Sequence, residues 1–193
     1  MHEISSVAVF CGSRPGADPA FAAAARELGT GLADAGIRLV YGGGRNGMMG
    51  VVADAVLAQG GTVLGVIPDF LTRMEVAHPD VTELAITSNM HDRKRRMVEE
   101  ADAFVALPGG IGTWDETIEI ISWRQLRLHD KPIYICNVRN WASGFLSAID
   151  NAIEQGFAEP NARQLFSVIN DVPALLERLG RASRGTGVAG ARL

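Results

Sequence analysis

Apolar residues in this chain cluster in short unbroken runs instead of alternating with polar ones. Residues 7–10, 37–41, 62–67, 103–107 and 132–137 are each too short for a helix and are bounded by Gly, Pro or polar residues. Runs of this kind predict strands covered on both faces. The longer stretches between them predict helices over 19–35, 48–59, 91–101, 113–128 and 141–156. Weaker signals place strands at 83–87 and 165–169 and a helix at 173–179, while 69–78 reads as a longer connection or a short helix. Asp18-Pro19 gives the first helix an N-cap followed by proline at N1, and Gly36 and Gly60-Gly61 stop the first two helices.

Strand and helix in alternation imply an α/β fold, a Rossmann-like doubly wound parallel sheet with helices on both faces and right-handed crossovers. The expected organisation is one nucleotide-binding domain over 1–180 and a disordered tail over 181–193, where Gly, Ala, Ser and Arg follow without periodicity. Ligands bind such sheets at the carboxyl edge of the strands. The loops at Ser13, 42–47, 88–92 and 108–112 are therefore expected to converge on one crevice although they are far apart in sequence.

The stretch Pro108-Gly109-Gly110-Ile111-Gly112-Thr113-Trp114-Asp115-Glu116 stands where a buried strand gives way to a helix. Three glycines without Cβ atoms let backbone N–H groups approach an anion, and the positive end of the following helix adds to the attraction. The same residues carry a second reading. Thr113-x-x-Glu116 ahead of Ile118, Ile120 and Ile121 is a capping box, which accounts for Thr113 and Glu116 but not for Gly109, Gly110 and Gly112 together. Gly42-Gly43-Gly44 predicts close ligand approach, with a tight turn as the other reading, and its spacing fits neither the dinucleotide fingerprint nor a P-loop. In helix 91–101, Arg95 and Arg96 each have a glutamate four residues on, Glu99 and Glu100. Arg93 and Lys94 have none. They stand one turn before Met97 and Val98 and are expected to lean over the carboxyl edge, where a basic pair suits a phosphate-bearing substrate.

Composition narrows the classes. A chain of 193 residues, 47% hydrophobic and 21% charged, has room for one ordinary globular domain. A net charge of -4 and an aromatic content of 6% argue against a nucleic-acid-binding face. Cys11 and Cys136 lack CxxC spacing and read as small buried hydrophobes of a cytoplasmic protein. Four histidines scattered without ligand spacing predict no metal site, and no run has the length of a membrane span or the form of a signal peptide. The only lysines are Lys94 and Lys131, a poor supply for a pyridoxal-phosphate decarboxylase, which needs a Schiff-base lysine.

Four motifs carry a resemblance: Pro108-Gly109-Gly110-x-Gly112-Thr113-x-x-Glu116, Met90-His91-x-Arg93-Lys94, Cys11-Gly12-Ser13, and Tyr41-Gly42-Gly43-Gly44-x-x-Gly47-x-Met49-Gly50. Together they resemble the LONELY GUY family of cytokinin riboside 5′-monophosphate phosphoribohydrolases, also labelled lysine decarboxylase-like. Ile121-Ser122-Trp123-x-Gln125-Leu126, His129-Asp130-Lys131-Pro132 and Asn137-Val138 extend the likeness over residues 7–159. The resemblance implies hydrolysis of the N-glycosidic bond of an adenine-type nucleoside 5′-monophosphate to free base and ribose 5-phosphate. It places the catalytic pair on Arg93 and Glu116, and substrate contacts on Glu75, Lys94, Gly110, Ile111, Gly112, Thr113, Trp114, Asp115 and Ser122. Ser13, Gly43, Gly44 and Gly109 join them as loop contacts. Glu116 is expected either to stabilise an oxocarbenium-like transition state electrostatically or to attack it covalently, and Arg93 to hold ribose or phosphate and counter charge on the leaving purine. The resemblance further implies a homodimer, a small nucleotide as the other partner, and no cofactor; the helix carrying Trp123 and Leu126 is the interface candidate, with core packing as the other reading. Trp114 stands where relatives usually carry a smaller residue, and Arg14-Pro15 where they carry small polar ones. A non-catalytic nucleotide carrier is the alternative, because the same cradle could bind without cleaving.

Overall fold

The computed structural model describes residues 4–72 and 76–184. Seven strands, β1 (Ser6–Phe10), β2 (Arg38–Tyr41), β3 (Val63–Pro68), β4 (Glu83–Thr87), β5 (Ala103–Ala106), β6 (Ile133–Cys136) and β7 (Ser167–Ile169), form one sheet. All pairs are parallel, in the order β4-β3-β2-β1-β5-β6-β7. Helices α1 (Pro19–Asp34), α2 (Gly47–Ala58), α3 (Met90–Glu100), α4 (Ile111–Gln125), α5 (Ser143–Glu154) and α6 (Val172–Arg184) cover it on both faces. This is the doubly wound α/β fold that the apolar runs predict.

The unbroken runs have a geometric cause. Alternate residues of a strand point to opposite faces, and here both faces are dry. Val7, Val9, Leu39, Tyr41 and Val105 pack with residues of α1, α2 and α6, whereas Ala8, Phe10, Val40, Phe104 and Ile135 pack with residues of α3, α4 and α5. The outermost strands β4 and β7 are largely exposed, which explains their mixed sequences.

Boundaries moved where tertiary contacts intervene. Asp18 caps α1 as expected, accepting a hydrogen bond from the Ala20 amide at 2.9 Å ahead of Pro19. Helix α6 does not stop at 179 but continues to Arg184, so residues 181–184 are helical instead of belonging to a tail. Residues 185–193, and Glu75, lie outside the described residues.

The chain winds outward from β1 to β4 and then returns to lay β5 on the other side of β1. The connections leaving β1 and β5 therefore diverge, and a crevice opens between them at the carboxyl edge. Hydrogen bonds tie its rim together: the Gly12 amide donates to Pro108 O at 3.1 Å, and the Met48 amide at the start of α2 donates to Gly12 O at 2.9 Å.

Close packing of α1 on α2 supports this rim from below. A Cβ on Gly29 of α1 would lie 2.6 Å from Val52 O and 2.7 Å from Ala55 Cβ, both on α2. Gly29→Ala is expected to cost about 1–3 kcal/mol in urea unfolding, with the far-ultraviolet circular dichroism of the folded state unchanged, because the helices must separate to admit the methyl group.

Candidate active site

The crevice has two connected chambers. The inner one, about 160 Å³, is walled by Cys11, Ser13, Gly42, Arg93, Thr113 and Glu116 among others. The outer one, about 540 Å³, lies between Arg14, Pro15, Phe21, Gly109 and Trp141. Gly12, Ser13, Gly110 and Ile111 border both.

Arg93 reaches the inner chamber because of where α3 begins. Asn89 is the N-cap, its side chain accepting from the Asp92 amide at 2.9 Å, so the helix starts just past β4 and Arg93 follows within one turn. The guanidinium is buried over the carboxyl ends of β2 and β3. Nε donates to Val66 O at 3.1 Å and Nη2 to Gly42 O at 3.3 Å, while Nη2 stands 3.6 Å from Glu116 Oε1. Among the described residues Nη1 has only the Met90 thioether at 3.8 Å, a weak acceptor. A Cβ on Gly42 would collide with this guanidinium. The first glycine of the triplet therefore makes room for an arginine of the chamber wall.

The second turn of α4 presents Glu116. Both side chains of the ion pair are nearly closed to solvent, at 7% exposure for Arg93 and 10% for Glu116. The capping-box reading of Thr113 and Glu116 does not hold. Gly110 is the N-cap, with no side-chain cap bond, and Thr113 lies inside the helix, where its carbonyl accepts from Thr117 Oγ1. The amides of Gly110, Ile111, Gly112 and Thr113 consequently have no protein acceptor among the described residues, and the residues that carry them line the inner chamber at a helix N-terminus. The three glycines divide the work. A Cβ on Gly109 would strike Thr113 Oγ1 and approach the Gly12 amide at 2.7 Å, so Gly109 is needed for packing. Gly110 and Gly112 have open space at the Cβ position, and there the missing side chain only bares the backbone.

Other expected contacts fall elsewhere. Arg93 and Lys94 are not the unpartnered pair that helix spacing implies, because both find carboxylates on α4. Lys94 lies between Asp115 at 3.1 Å and Glu119 at 2.9 Å, off the chamber walls. Partial burial pulls its pKa down, but hydrogen bonds and charge from Glu119 and Asp115 outweigh this and hold it above the ordinary lysine value. Asp115 is thus a partner of Lys94 and not a wall residue. Trp114 is stacked between Trp141 and Phe145, with ring centroids 4.2 and 4.5 Å away. Gly43 and Gly44 bind the segment after residue 75: Gly43, at φ +77°, accepts from the His78 amide at 3.0 Å, and Gly44 bridges to Ala77. Ser122 is exposed on α4, six residues beyond Glu116 and away from both chambers. Ser13, Gly109, Gly110, Ile111, Gly112 and Thr113 do line the crevice.

Cys11 was expected to be a buried hydrophobe and is one, yet it also walls the inner chamber. Burial, reinforced by the charge of Glu116, pushes its thiol well above the ordinary value, so it is no nucleophile. Sequence reasoning missed Trp141, Phe21 and Met49 as wall residues, since nothing local distinguishes them from core positions. Among the described residues no cluster of three or more His, Cys, Asp or Glu side chains could hold a metal ion.

The family model described as "Possible lysine decarboxylase" matches residues 49–179. A probable cytokinin riboside 5′-monophosphate phosphoribohydrolase of Oryza sativa subsp. japonica is 43% identical over 180 residues, covering 93% of this chain and 78% of the relative. A cytokinin riboside 5′-monophosphate phosphoribohydrolase of Rhodococcoides fascians is 44% identical over 168 residues, covering 86% and 85%. Among solved structures, the molybdenum cofactor carrier protein of Chlamydomonas reinhardtii superposes with a TM-score of 0.69 at 20% identity, over 92% of this chain and 96% of that one. That last likeness concerns the fold alone.

Gly112 separates folding from binding. Gly112→Ala is expected to leave thermal stability unchanged or raise it by about 0.5 kcal/mol, since alanine is the better helix former. The same methyl group would stand among the bare amides, and competition assays with inorganic phosphate are expected to read weaker anion binding.

Proposed function

Because the chain belongs to the family described as possible lysine decarboxylase, alongside relatives named cytokinin riboside 5′-monophosphate phosphoribohydrolases, we propose that it hydrolyses the N-glycosidic bond of an adenine-type nucleoside 5′-monophosphate. Water adds across that bond, its hydroxyl to the anomeric carbon and its proton to the departing base, giving free base and ribose 5-phosphate. One observation carries this reading: the buried Arg93–Glu116 pair opens on the same small chamber as four bare amides at the start of α4.

The amides of 110–113, with Ser13, hold the 5′-phosphate. That fixes the ribose over Glu116, whose carboxylate lies where positive charge grows on the sugar as the bond to the base stretches. Arg93 does not swing, because Val66 O and Gly42 O grip it from the sheet edge. Its Nη1 hydrogens meet the substrate, and its charge balances negative charge on the leaving purine. Preorganisation is the chemical contribution of the fold here: a fixed, largely buried charge needs no reorientation as the reaction proceeds.

A decarboxylase built on pyridoxal phosphate does not fit these residues. Lys94 is held as an ammonium between two carboxylates, and Lys131 Nζ donates to Val98 O at 2.7 Å on the far side of α3. We further place the enzyme in the cytoplasm as a homodimer. The exposed apolar side chains of Ile118, Leu126 and Leu128, on and just after α4, support a partner-covered surface there. Size-exclusion chromatography with light scattering is expected to read twice the mass of one chain.

Incubation with AMP and with N6-isopentenyl-AMP, followed by chromatography of the products, is expected to yield free base. Glu116→Gln keeps the shape of the side chain and is expected to lower kcat by roughly 100- to 1000-fold, the loss typical of one preorganised electrostatic contact. Tight nucleotide binding with no base released from either substrate would establish the carrier reading instead.

A further inference from the structure

Trp141 follows β6 on a stretch of backbone that is unusual for its residue types. Arg139 and Asn140 both occupy the left-handed region, at φ 53° and 59°, which asparagine tolerates but arginine seldom adopts. The conformation is held from several sides. Asn137, buried at the end of β6, accepts the Ala142 amide on its side-chain oxygen at 2.8 Å, and Arg139 pairs with Asp18 at 3.0 Å. Strained backbone maintained by dedicated contacts points to something that the strain places.

What it places is an indole. Trp141 Nε1 donates to Gly109 O at 2.9 Å, across 32 residues of sequence. The ring is fixed in turn by Trp114 of the first turns of α4, parallel to it within 4° at 4.2 Å between centroids, and Phe145 closes the other face of Trp114 at 4.5 Å. Gly109 O belongs to the peptide unit whose N–H is that of Gly110. The described peptides include no cis bond, and in a trans unit C=O and N–H point in opposite directions. Pinning Gly109 O on the Trp141 side therefore turns the Gly110 N–H the other way, toward the chamber where Ile111, Gly112 and Thr113 present theirs. A glycine pair offers little torsional resistance of its own, and among the described residues the indole makes the one hydrogen bond that holds this peptide unit.

We propose that Trp141 is a positioning residue for phosphate binding: its indole N–H orients the Gly109–Gly110 peptide so that the Gly110 amide completes the anion cradle. The assignment deepens the phosphoribohydrolase reading and rests on it. Trp141 acts on the held phosphate and not on the reacting bond, so its loss changes KM and leaves kcat in place.

The variant is Trp141→Phe, and the isosteric replacement of Trp141 by 3-benzothienylalanine accompanies it, since sulfur in place of the N–H keeps the ring volume and the stack. The readouts are KM and kcat for AMP, and the affinity of inorganic phosphate measured by calorimetry. Loss of one hydrogen bond predicts a rise of roughly three- to tenfold in KM and an equal weakening of phosphate binding, with kcat within twofold of the wild type. Phosphate affinity unchanged in the benzothienyl protein overturns the assignment and leaves the hydrolase reading intact, as does a fall in kcat with KM unmoved. A wild-type protein that binds no phosphate and releases no base overturns both.

Discussion

The burial of the Arg93 guanidinium is the constraint on which the carboxyl edge of the sheet depends. A charge withdrawn from water costs several kcal/mol unless it is paired and hydrogen-bonded. Its partners come from four places at once: the acceptors Val66 O in β3, Gly42 O after β2 and the Met90 thioether in α3, and the opposite charge of Glu116 in α4. None of these is a sequence neighbour except Met90. The arginine is satisfied only when β2, β3, α3 and α4 have assembled in register, so forming the edge of the fold and forming the inner chamber are the same event. Glycine at position 42 follows from this, because any side chain there would occupy the seat of the guanidinium.

The division between what could and could not be read from sequence follows contact range. Strands β1, β2, β3, β5 and β6 announced themselves because a strand covered on both faces needs apolar residues at successive positions, broken here only at the entrances Ser6 and Arg38 and at Gly65. The pairs Arg95–Glu99 and Arg96–Glu100 were readable because helix geometry alone brings such residues together. Arg93 and Glu116 stood out as candidates through residue type and motif, but their pairing spans 23 residues and passes through β5. Thr113-x-x-Glu116 satisfied the local rule for a capping box, yet the helix starts earlier, at Ile111, with Thr113 turned against Gly109. Local rules state what a short segment can do, and tertiary packing selected otherwise. Trp141 carried no local signal at all, since its task is defined by a carbonyl 32 residues away.

Glycines in this chain show why a motif cannot be taken as a unit. Within Gly109-Gly110-x-Gly112 one glycine is required by packing and two stand in open space. Within Gly42-Gly43-Gly44 the first makes room for Arg93 and the second adopts a positive φ. An alanine at Gly109 or Gly42 damages the fold, whereas one at Gly112 touches only whatever enters the crevice. The open positions therefore point to ligand binding more directly than the number of glycines does.

The likeness to a molybdenum cofactor carrier at 20% identity places both proteins on one architecture without assigning them one task. A crevice at the switch between β1 and β5 with bare amides at a helix start is enough to carry an anion. Cleaving a glycosidic bond asks for more: a carboxylate at the sugar and a cation that stays in place while charge moves. On the proposed reading, Glu116 and Arg93 supply these two, and the backbone clamp on Arg93 distinguishes a site prepared for a transition state from one that only holds a nucleotide. A mobile arginine would follow the ground state and stabilise both states alike, which tightens binding without accelerating the reaction. On that reading the sheet edge that holds Arg93 still belongs to the catalytic apparatus.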